Sequence, residues 1–417
     1  MEKTTHIKTL APASPETFFL VLALFGYIIS YFDPFSSERL SHTMNILIRG
    51  TVFFSALYFL VKNIDLVKKR KWMIITFLLF YGLYLLKAEY TFRNYTFLPD
   101  TLEKLKKTFY YYSLVIIPVP VISMISLDYG KVNFELFYKY VFWFLTIILG
   151  LNFLYSMFFM EFLKSGGGAF RAYYILVGHY GLSLVVMCVY SFFILKKWNI
   201  SHGIALFLGL FPICISAARS PLLAFLAIAL LLIILKNNRK YWIAFCLLVI
   251  MTVLLLFIAY TYGIGQDMIF LKRINAALFE GNASGRSYFF DKGLDEFFAN
   301  PVLGGRILFE SGMYSHNMFI DILMATGLVG MLLFIAYFQF VIRSFVKIAR
   351  NIYKYKEAGI LTLFFLQYFV LVQTSGNIYL SFEFWYFSGA LIGLGYIKYN
   401  NEKIKSNDSR GNTAGDH

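Results

Sequence analysis

The sequence predicts an all-α fold, that of a polytopic membrane protein with about 12 transmembrane helices. Hydrophobic residues make up 59% of the 417 residues and aromatic residues make up 20%, and the mean hydropathy is +0.65. Soluble globular chains are far less apolar. The apolar residues also form successive runs of about 16 to 25 residues, the length that an α-helix needs to cross a bilayer. Composition and run length together exclude a soluble two-domain protein.

The apolar runs divide one predicted membrane domain, residues 1–399, into spans. The first run is not followed by a small-residue cleavage site, so we expect it to be a retained signal anchor. Residues 400–417 are polar and rich in glycine, asparagine and serine, which predicts a disordered cytoplasmic tail. The predicted spans are residues 17–32, 44–61, 72–87, 108–128, 136–160, 172–195, 200–216, 220–235, 241–262, 317–342, 359–373 and 377–397.

The basic residues predict how the spans are oriented. The formal net charge is +15, and dense clusters such as Lys68–Lys71 and Arg343–Lys356 lie at one set of span ends. Because cytoplasmic loops carry an excess of lysine and arginine, we place the N- and C-termini in the cytoplasm. The positive charge then reflects topology and attraction to anionic headgroups of membrane lipids. Since the clusters lie at span ends, we expect no nucleic-acid partner.

Residues 263–316 are predicted to form a large exterior loop. A segment of this length is too long for a simple connection, and such loops often carry function. Within it, residues 287–300 have the pattern of an amphipathic helix that ends at Asn300-Pro301. We expect this helix to lie against the outer membrane face. Its apolar side comprises Phe289, Phe290, Leu294, Phe297 and Phe298, and its polar side comprises Asp291, Lys292, Asp295 and Glu296.

Four basic residues on the predicted exterior side need an explanation. Each has an ordinary structural interpretation, because an arginine at a span end is usually an interfacial anchor and a histidine at a helix start is usually solvated or hydrogen-bonded. The four residues are Arg171 after a glycine run, Arg219 in the turn between spans seven and eight, Arg286 at the start of the loop helix, and His316 at the start of span ten.

The helix that follows His316 has its own structural signals. Ser315 and Asn317 are residue types that cap helices. Gly327 and Gly330 are three positions apart, a spacing that favours close packing between membrane helices.

Taken together, the four basic residues predict a diphosphate site. They come from separate parts of the chain but share one predicted membrane face. The planar guanidinium of arginine suits phosphate oxygens and stays charged, and the N-terminus of a helix attracts anions. A histidine is able to accept a proton from an attacking hydroxyl. The set therefore predicts glycosyl transfer from a sugar linked to a lipid diphosphate.

Three stretches resemble the family of O-antigen polymerases and O-antigen ligases. "SHNMFIDILMATGLVGMLLF" resembles the His-Asn and Gly-x-x-Gly signature that ends the periplasmic loop of that family. "GRSYFFDKGLDEFFANPVLGGR" resembles the stretch before it, in which Gly-Arg opens an amphipathic helix, followed by Asn-Pro and a glycine-rich turn. "SAARSPLLAF" resembles the Ser-Arg turn between two spans. The resemblance covers about residues 165–345 and rests on hydropathy elsewhere.

The resemblance implies a GT-C-like membrane glycosyltransferase of the bacterial inner membrane, whose donor is an oligosaccharide on undecaprenyl diphosphate. It implies that Arg219 and Arg286 bind the diphosphate and stabilise the leaving group, and that His316 orients or deprotonates the acceptor hydroxyl. The family typically needs no metal, and the exterior acids show no Asp-x-Asp pair, so we expect no metal and no cofactor. The residues that we expect to bind substrate are Arg171, Asn317, Arg306 and Tyr314.

One departure from the family pattern concerns an acidic residue. Many members carry an acid two positions before the first glycine of the signature, where this chain has Ala325. Asp321, one helical turn earlier, is the nearest acid. Whether Asp321 takes the place of the missing acid is left open by the sequence.

Three functions stay open on the sequence. We favour a polymerase of O-antigen or capsule polysaccharide, which uses a second lipid-linked repeat unit as acceptor; the alternative is an O-antigen ligase, which uses lipid A–core. Further expected partners are other proteins of polysaccharide assembly, a flippase and a chain-length regulator. The third function is a flippase or transporter of the same lipid-linked sugars. It would need ionisable residues along a central path, whereas Arg49, His179, Asp321 and Glu383 are scattered in the sequence without visible pairing.

Overall fold

The described part of the chain is helical, with turns between the helices and no strand. This agrees with the all-α prediction, because a segment within a bilayer has to satisfy its own backbone polar groups. Seven described helices are long and apolar enough to cross a membrane, and three shorter apolar helices accompany them. The computed structural model describes residues 14–32, 38–98, 102–159, 174–215, 219–262 and 286–411.

The helices of the N-terminal half follow the predicted spans, and several are divided into shorter segments. Two of the spans contain a π-helical turn, at Tyr111–Ile116 and at Ser191–Leu195. The helices are α1 Pro15–Phe25, α2 Tyr27–Tyr31, α3 Glu38–Lys62, α4 Ile64–Lys69, α5 Lys71–Asn94, α6 Leu102–Tyr110, α7 Pro118–Ser126, α8 Phe134–Phe159 and α9 Tyr174–Tyr190.

The C-terminal half contains the loop helix and the last predicted spans. Its final helix continues to Gly411, past residue 400, where the sequence predicts a disordered tail. Residues 402–405, Glu-Lys-Ile-Lys, are helix-forming types that allow this extension. The helices are α10 Ile200–Ile215, α11 Ser220–Lys236, α12 Arg239–Thr261, α13 Arg286–Ala299, α14 Met318–Arg350, α15 Ile352–Tyr355, α16 Ile360–Ser375 and α17 Phe382–Gly411.

An aromatic core joins α5, α14 and α17. Its centre is Trp385, which is fully buried and whose indole N–H donates to the carbonyl of Ile378 at 2.8 Å. The ring of Trp385 lies 5.7 Å from that of Phe77 on α5 and 5.9 Å from that of Tyr337 on α14. Such pairs add about 0.5 to 1.5 kcal/mol each beyond the burial of their area. This core fixes the middle of α14 against the beginning of α17.

Helix α14 is broken at Gly327, which has a φ of +61°. Residues 300–306, here called the docking loop, fill the break: Gly305 N–H donates to Met324 O at 2.8 Å, and Leu328 N–H donates to Pro301 O at 2.9 Å. A Cβ on Gly327 would lie 2.5 Å from backbone atoms of the docking loop. The sequence predicted that this glycine serves helix packing, but it makes room for an inserted loop. The loop bonds backbone groups that the break in the helix frees.

Candidate functional site

The C-terminal end of α16 is the point at which the candidate site is assembled. Backbone carbonyls or side chains of Gln373, Thr374 and Ser375 contact residues at the N-terminal ends of three other helices, α11, α13 and α14. Helix N-termini carry partial positive charge and helix C-termini carry partial negative charge. Three electropositive helix ends therefore surround one electronegative end.

Arg286 is the first residue of α13 and donates through Nη1 to the carbonyl of Thr374. Gly293 allows α13 to pack closely on the beginning of α14. A Cβ at this position would lie 2.7 Å from Ile320 Cγ2 and 3.2 Å from Ser315 Cβ, which is too close. This close crossing over the beginning of α14 is what brings Arg286 to the end of α16. The helix thus packs on protein at Gly293, which lies between Phe289 and Phe297 on its predicted apolar side.

His316 occupies a strained position just before α14. Its φ is +62°, a left-handed conformation that is uncommon for residues other than glycine and typical of functional sites. The preceding residue is fixed by Asp321, whose Oδ1 accepts from the Ser315 hydroxyl at 2.8 Å and from the Ser315 amide at 3.1 Å. The backbone at His316 is therefore fixed on both sides, because Ser315 is bonded to Asp321 and Asn317 caps α14.

The surroundings of the His316 imidazole are aromatic and positively charged. Its ring centroid lies 4.5 Å from that of Tyr314 and 5.5 Å from that of Phe289. Burial lowers the pKa of His316, and the charge of Arg286 lowers it further, against a hydrogen bond with the Ser375 backbone. Nδ1 is buried and has no hydrogen-bond partner within the described ranges. We therefore assign the proton to Nε2 and a free lone pair to Nδ1.

Asn317 and Tyr314 connect the same turn to α16. The Asn317 side chain caps α14, accepting from the amides of Phe319 at 3.0 Å and Ile320 at 3.1 Å, and its amide donates to Gln373 O at 3.0 Å. The Tyr314 hydroxyl donates to Ser375 O at 3.5 Å. Burial and the charge of Asp321 raise the pKa of Tyr314 to about 12, so this hydroxyl keeps its proton.

Arg219 lies at the edge of the same cluster, half-buried, as the N-cap of α11. Its neighbour Ser220 lies next to Ser375, with the two hydroxyl oxygens 3.4 Å apart. Pro221 in the first turn favours the start of a helix at this position. Because α11 begins where α16 ends, the two helices pack antiparallel, and Arg219 is placed at the level of Arg286 and His316.

Arg306 does not join this cluster. Its Nε lies 2.9 Å from Glu296 Oε2, its Nη1 bonds Glu310, and its guanidinium lies 4.5 Å from the ring centroid of Tyr95. Lys292 adds a second cation at 3.0 Å from Glu310 Oε2. The Glu310 backbone amide, with Lys292 and Arg306, lowers the pKa of Glu310 to about 2 against the effect of burial. We call Lys292, Glu296, Arg306 and Glu310 the ion cluster.

Two further predicted features lie elsewhere. Arg171 is outside the described residues. The described contacts of Asp321 are with Ser315. Through Ser315, this acid holds the backbone just before His316 in place. In the described ranges, no group of three His, Cys, Asp or Glu side chains is placed to hold a metal ion.

Sequence reasoning missed the end of α16. The stretch "QTSGN", residues 373–377, is a polar run at the end of an apolar helix, and this was the one signal available. Both side-chain polar atoms of Gln373 are buried without a hydrogen-bond partner in the described structure. Buried polar atoms of this kind often await water or a ligand.

One comparison with known proteins matches the part of the chain that contains most of these residues. The family model described as O-antigen ligase matches residues 204–335, about a third of the chain. The match includes Arg219, Arg286, Arg306, His316 and Asn317, and it ends before the polar run of α16. No curated protein matches the chain. Residues 204–335 are therefore similar to an O-antigen ligase domain, and this match supports membership of the chain in the O-antigen polymerase and ligase family.

Proposed function

We propose that the protein transfers a glycan from undecaprenyl diphosphate to the hydroxyl of an acceptor, without a metal. The observation that carries this proposal is the meeting of Arg286, His316 and the start of α11 at the end of α16. Two arginines and three helix N-termini favour a diphosphate. A neutral imidazole beside them favours proton removal from a hydroxyl. The arginines and the histidine belong to the stretch that the family model matches.

In the proposed reaction, the acceptor oxygen attacks the anomeric carbon of the donor sugar. The bond between that carbon and the diphosphate oxygen breaks, and its electron pair stays on the diphosphate, where Arg219 and Arg286 stabilise the charge. The acceptor proton passes to Nδ1 of His316. Because burial and Arg286 lower the pKa of His316, the imidazole is neutral and able to accept this proton near pH 7.

Arg286 would exchange its hydrogen bond to Thr374 for one to the diphosphate during this reaction. Its present bond is to the Thr374 carbonyl at the C-terminal end of α16. A carbonyl is a weaker acceptor than a phosphate oxygen, because hydrogen bonds to charged groups are roughly twice as strong. Binding of a diphosphate is therefore expected to draw Arg286 away from Thr374.

For the acceptor we propose a second lipid-linked repeat unit, which makes the protein a polysaccharide polymerase in the bacterial inner membrane with cytoplasmic termini. Ligation to lipid A–core is the second candidate, and the description of the matched family favours it. The two functions share the donor and the diphosphate site. A transfer assay with defined acceptors separates them.

The test uses purified protein in lipid nanodiscs with a repeat unit on undecaprenyl diphosphate, with and without lipid A–core. Longer chains on the diphosphate are expected for a polymerase, and glycan on lipid A–core would show a ligase. Variants His316→Ala, Arg219→Ala and Arg286→Ala should each lose the product. His202→Ala is the matched control, since His202 lies between Phe142 and Trp198, away from this cluster.

A flippase would give a different result in the same nanodiscs. It would move the donor across the bilayer without forming a glycosidic bond. Absence of any transfer product from the folded wild-type protein, with both acceptors present, would overturn the proposed function.

A further inference from the structure

A cavity of about 210 Å³ lies directly beneath the candidate site, between α9, α16 and α17. From Ser375 it extends into the bundle to the level of Tyr368, which is about 10 Å along α16 at 1.5 Å per residue. Its apolar walls come from residues such as Leu371 and Phe384. Its polar lining residues are His179, Tyr314, Tyr368, Ser375, Ser381 and Glu383.

The cavity brings together two ionisable residues that the sequence left scattered. His179 on α9 is held against α16 because Gln367 donates to His179 O at 2.9 Å and to Ser183 Oγ at 2.8 Å. Nε2 of His179 is buried and has no hydrogen-bond partner within the described chain. Glu383, in the first turn of α17, is 7% exposed. Ionisable groups at such a depth are costly and usually functional.

Tyr314 and Ser375 connect the cavity to the candidate site. Both residues line the cavity, and both contact His316: Tyr314 through its ring at 4.5 Å, and Ser375 through its backbone. The cavity is polar at these points and has room for several water molecules, each of which needs two to four polar partners. A hydrogen-bonded path from His316 to Glu383 is therefore short.

The protonated form of His316 is energetically unfavourable. An imidazolium there would be partly buried and would lie in the field of Arg286. A diphosphate held by two arginines is also a weak proton acceptor, because the cations favour its charged form. The proton that leaves the acceptor hydroxyl in each turnover thus needs another route.

We propose that the cavity is this route, with Glu383 as the relay residue that receives the proton from His316 and His179 as a residue that orients the water between them; the inference rests on the proposed glycosyl transfer. The proton leaves the acceptor oxygen as the new C–O bond forms and passes to His316. It then moves through water in the cavity to the Glu383 carboxylate, which becomes neutral. After the product has left, Glu383 returns the proton through the cavity water to solvent at the Ser375 end of the cavity. The proton thus leaves the protein, and the carboxylate is restored for the next turnover.

The groups around Glu383 fit this role. Tyrosines face it from four helices, Tyr31 on α2, Tyr180 on α9, Tyr368 on α16 and Tyr386 on α17. These hydroxyls are uncharged at neutral pH and are able to orient water. Arg49 is the nearby cation, and it is held by Tyr112 at 3.0 Å.

The test is the rate of glycan transfer in nanodiscs by Glu383→Gln and Glu383→Ala, with Glu357→Gln as control. Glu357 is paired with Lys197 at 3.8 Å and lies just before the N-terminal end of α16, a helix about 24 Å long. We expect kcat to fall about 10- to 100-fold in both Glu383 variants, the KM for the donor to stay within twofold, and formate to restore Glu383→Ala. Glu357→Gln should keep the wild-type rate.

Rescue distinguishes a relay from a structural role, because formate replaces a proton acceptor but does not repair packing. If Glu383→Gln fails to fold, Glu383→Asp makes the same test, because it keeps a carboxylate in the cavity and should keep kcat well above that of Glu383→Ala. A wild-type rate in Glu383→Gln, or a slow Glu383→Ala that formate does not restore, would overturn the relay. If His316→Ala loses transfer in that experiment, the proposed function stands although the relay fails.

Discussion

The two arginines at opposite ends of α13 have the same chemistry but different neighbours. Arg306, beyond the C-terminal end, is bonded to the carboxylates of Glu296 and Glu310 in the ion cluster. Arg286, at the N-terminal end, donates to the carbonyl of Thr374. A guanidinium between two carboxylates is neutralised and holds the docking loop, whereas one bonded to a carbonyl is able to exchange that partner for an anion. The described partners of the two arginines thus differ, with two carboxylates at Arg306 and a backbone carbonyl at Arg286.

The largest expected effect comes from replacing each arginine in turn. Arg286→Ala should lower the rate of glycan transfer about 100- to 1000-fold, since one donor to the leaving group's charge is lost. Arg306→Ala should lower it less than about tenfold, because its effect acts through the docking loop. The measurement is transfer of a diphosphate-linked glycan at equal amounts of folded protein. Equal losses in both variants would remove the distinction between the two arginines.

Glycine substitutions at the docking loop test how much this loop contributes to the stability of the protein. Gly327→Ala and Gly304→Ala both place a Cβ about 2.5 Å from backbone atoms, at positive φ. We expect each to lower the free energy of unfolding by about 1 to 3 kcal/mol from backbone strain, with a clash in addition. Gly203→Ala on α10 is the control, because nothing lies within 4 Å of its Cβ. Thermal unfolding in detergent should therefore separate the first two variants from the third.

The electrostatic difference between the arginines should be visible at His316. Arg286→Gln removes a positive charge that lowers the pKa of His316, so that pKa should rise towards its ordinary value. Arg306→Gln should leave it unchanged. Because the neutral imidazole is the active form, the acid limb of the wild-type pH–rate profile should lie below about pH 6.5. Titration of the labelled imidazole by NMR measures the shift directly, and an unchanged pKa in Arg286→Gln would contradict the proximity of the two groups.

The smallest expected effect concerns the ion cluster in acid. Since the pKa of Glu310 in the folded protein is about 2, its contribution to stability is present above the unfolded value of about 4.3 and is lost as the pH falls towards 2. The Glu310 side chain is 43% exposed, so solvent screening reduces the contribution to under about 1 kcal/mol. Between pH 6 and pH 3, the unfolding temperature of the wild-type protein should therefore fall more than that of Glu310→Gln.

The sequence was sufficient to predict the helical class and apolar helices long enough to cross a membrane. The count of 12 spans and the roles of Arg219, Arg286 and His316 stay predictions. Runs of apolar residues identify candidate spans, because a helix needs about 20 such residues to cross the bilayer. Charged residues are infrequent in such a chain and are therefore easy to single out. The capping role of Asn317, which the sequence also predicted, is confirmed.

The remaining features depend on contacts between distant parts of the chain. Nothing near Thr374 in sequence indicates that Arg286 bonds it, since 88 positions separate them. The break at Gly327 looks like a packing motif until the docking loop fills it. His179 and Glu383 look unrelated until helix packing places them around one cavity. Local patterns carry little information about such pairings.

The central claim is that the cluster around Arg286 and His316 binds a lipid diphosphate, and a binding measurement tests it most directly. Purified wild-type protein, Arg286→Ala and Arg306→Ala would be titrated with a short isoprenoid diphosphate by calorimetry in detergent. We predict that Arg286→Ala weakens binding at least about tenfold, equivalent to about 1.4 kcal/mol, while Arg306→Ala stays within about twofold of wild type. Wild-type affinity in Arg286→Ala, or an equal loss in both variants, would contradict the account.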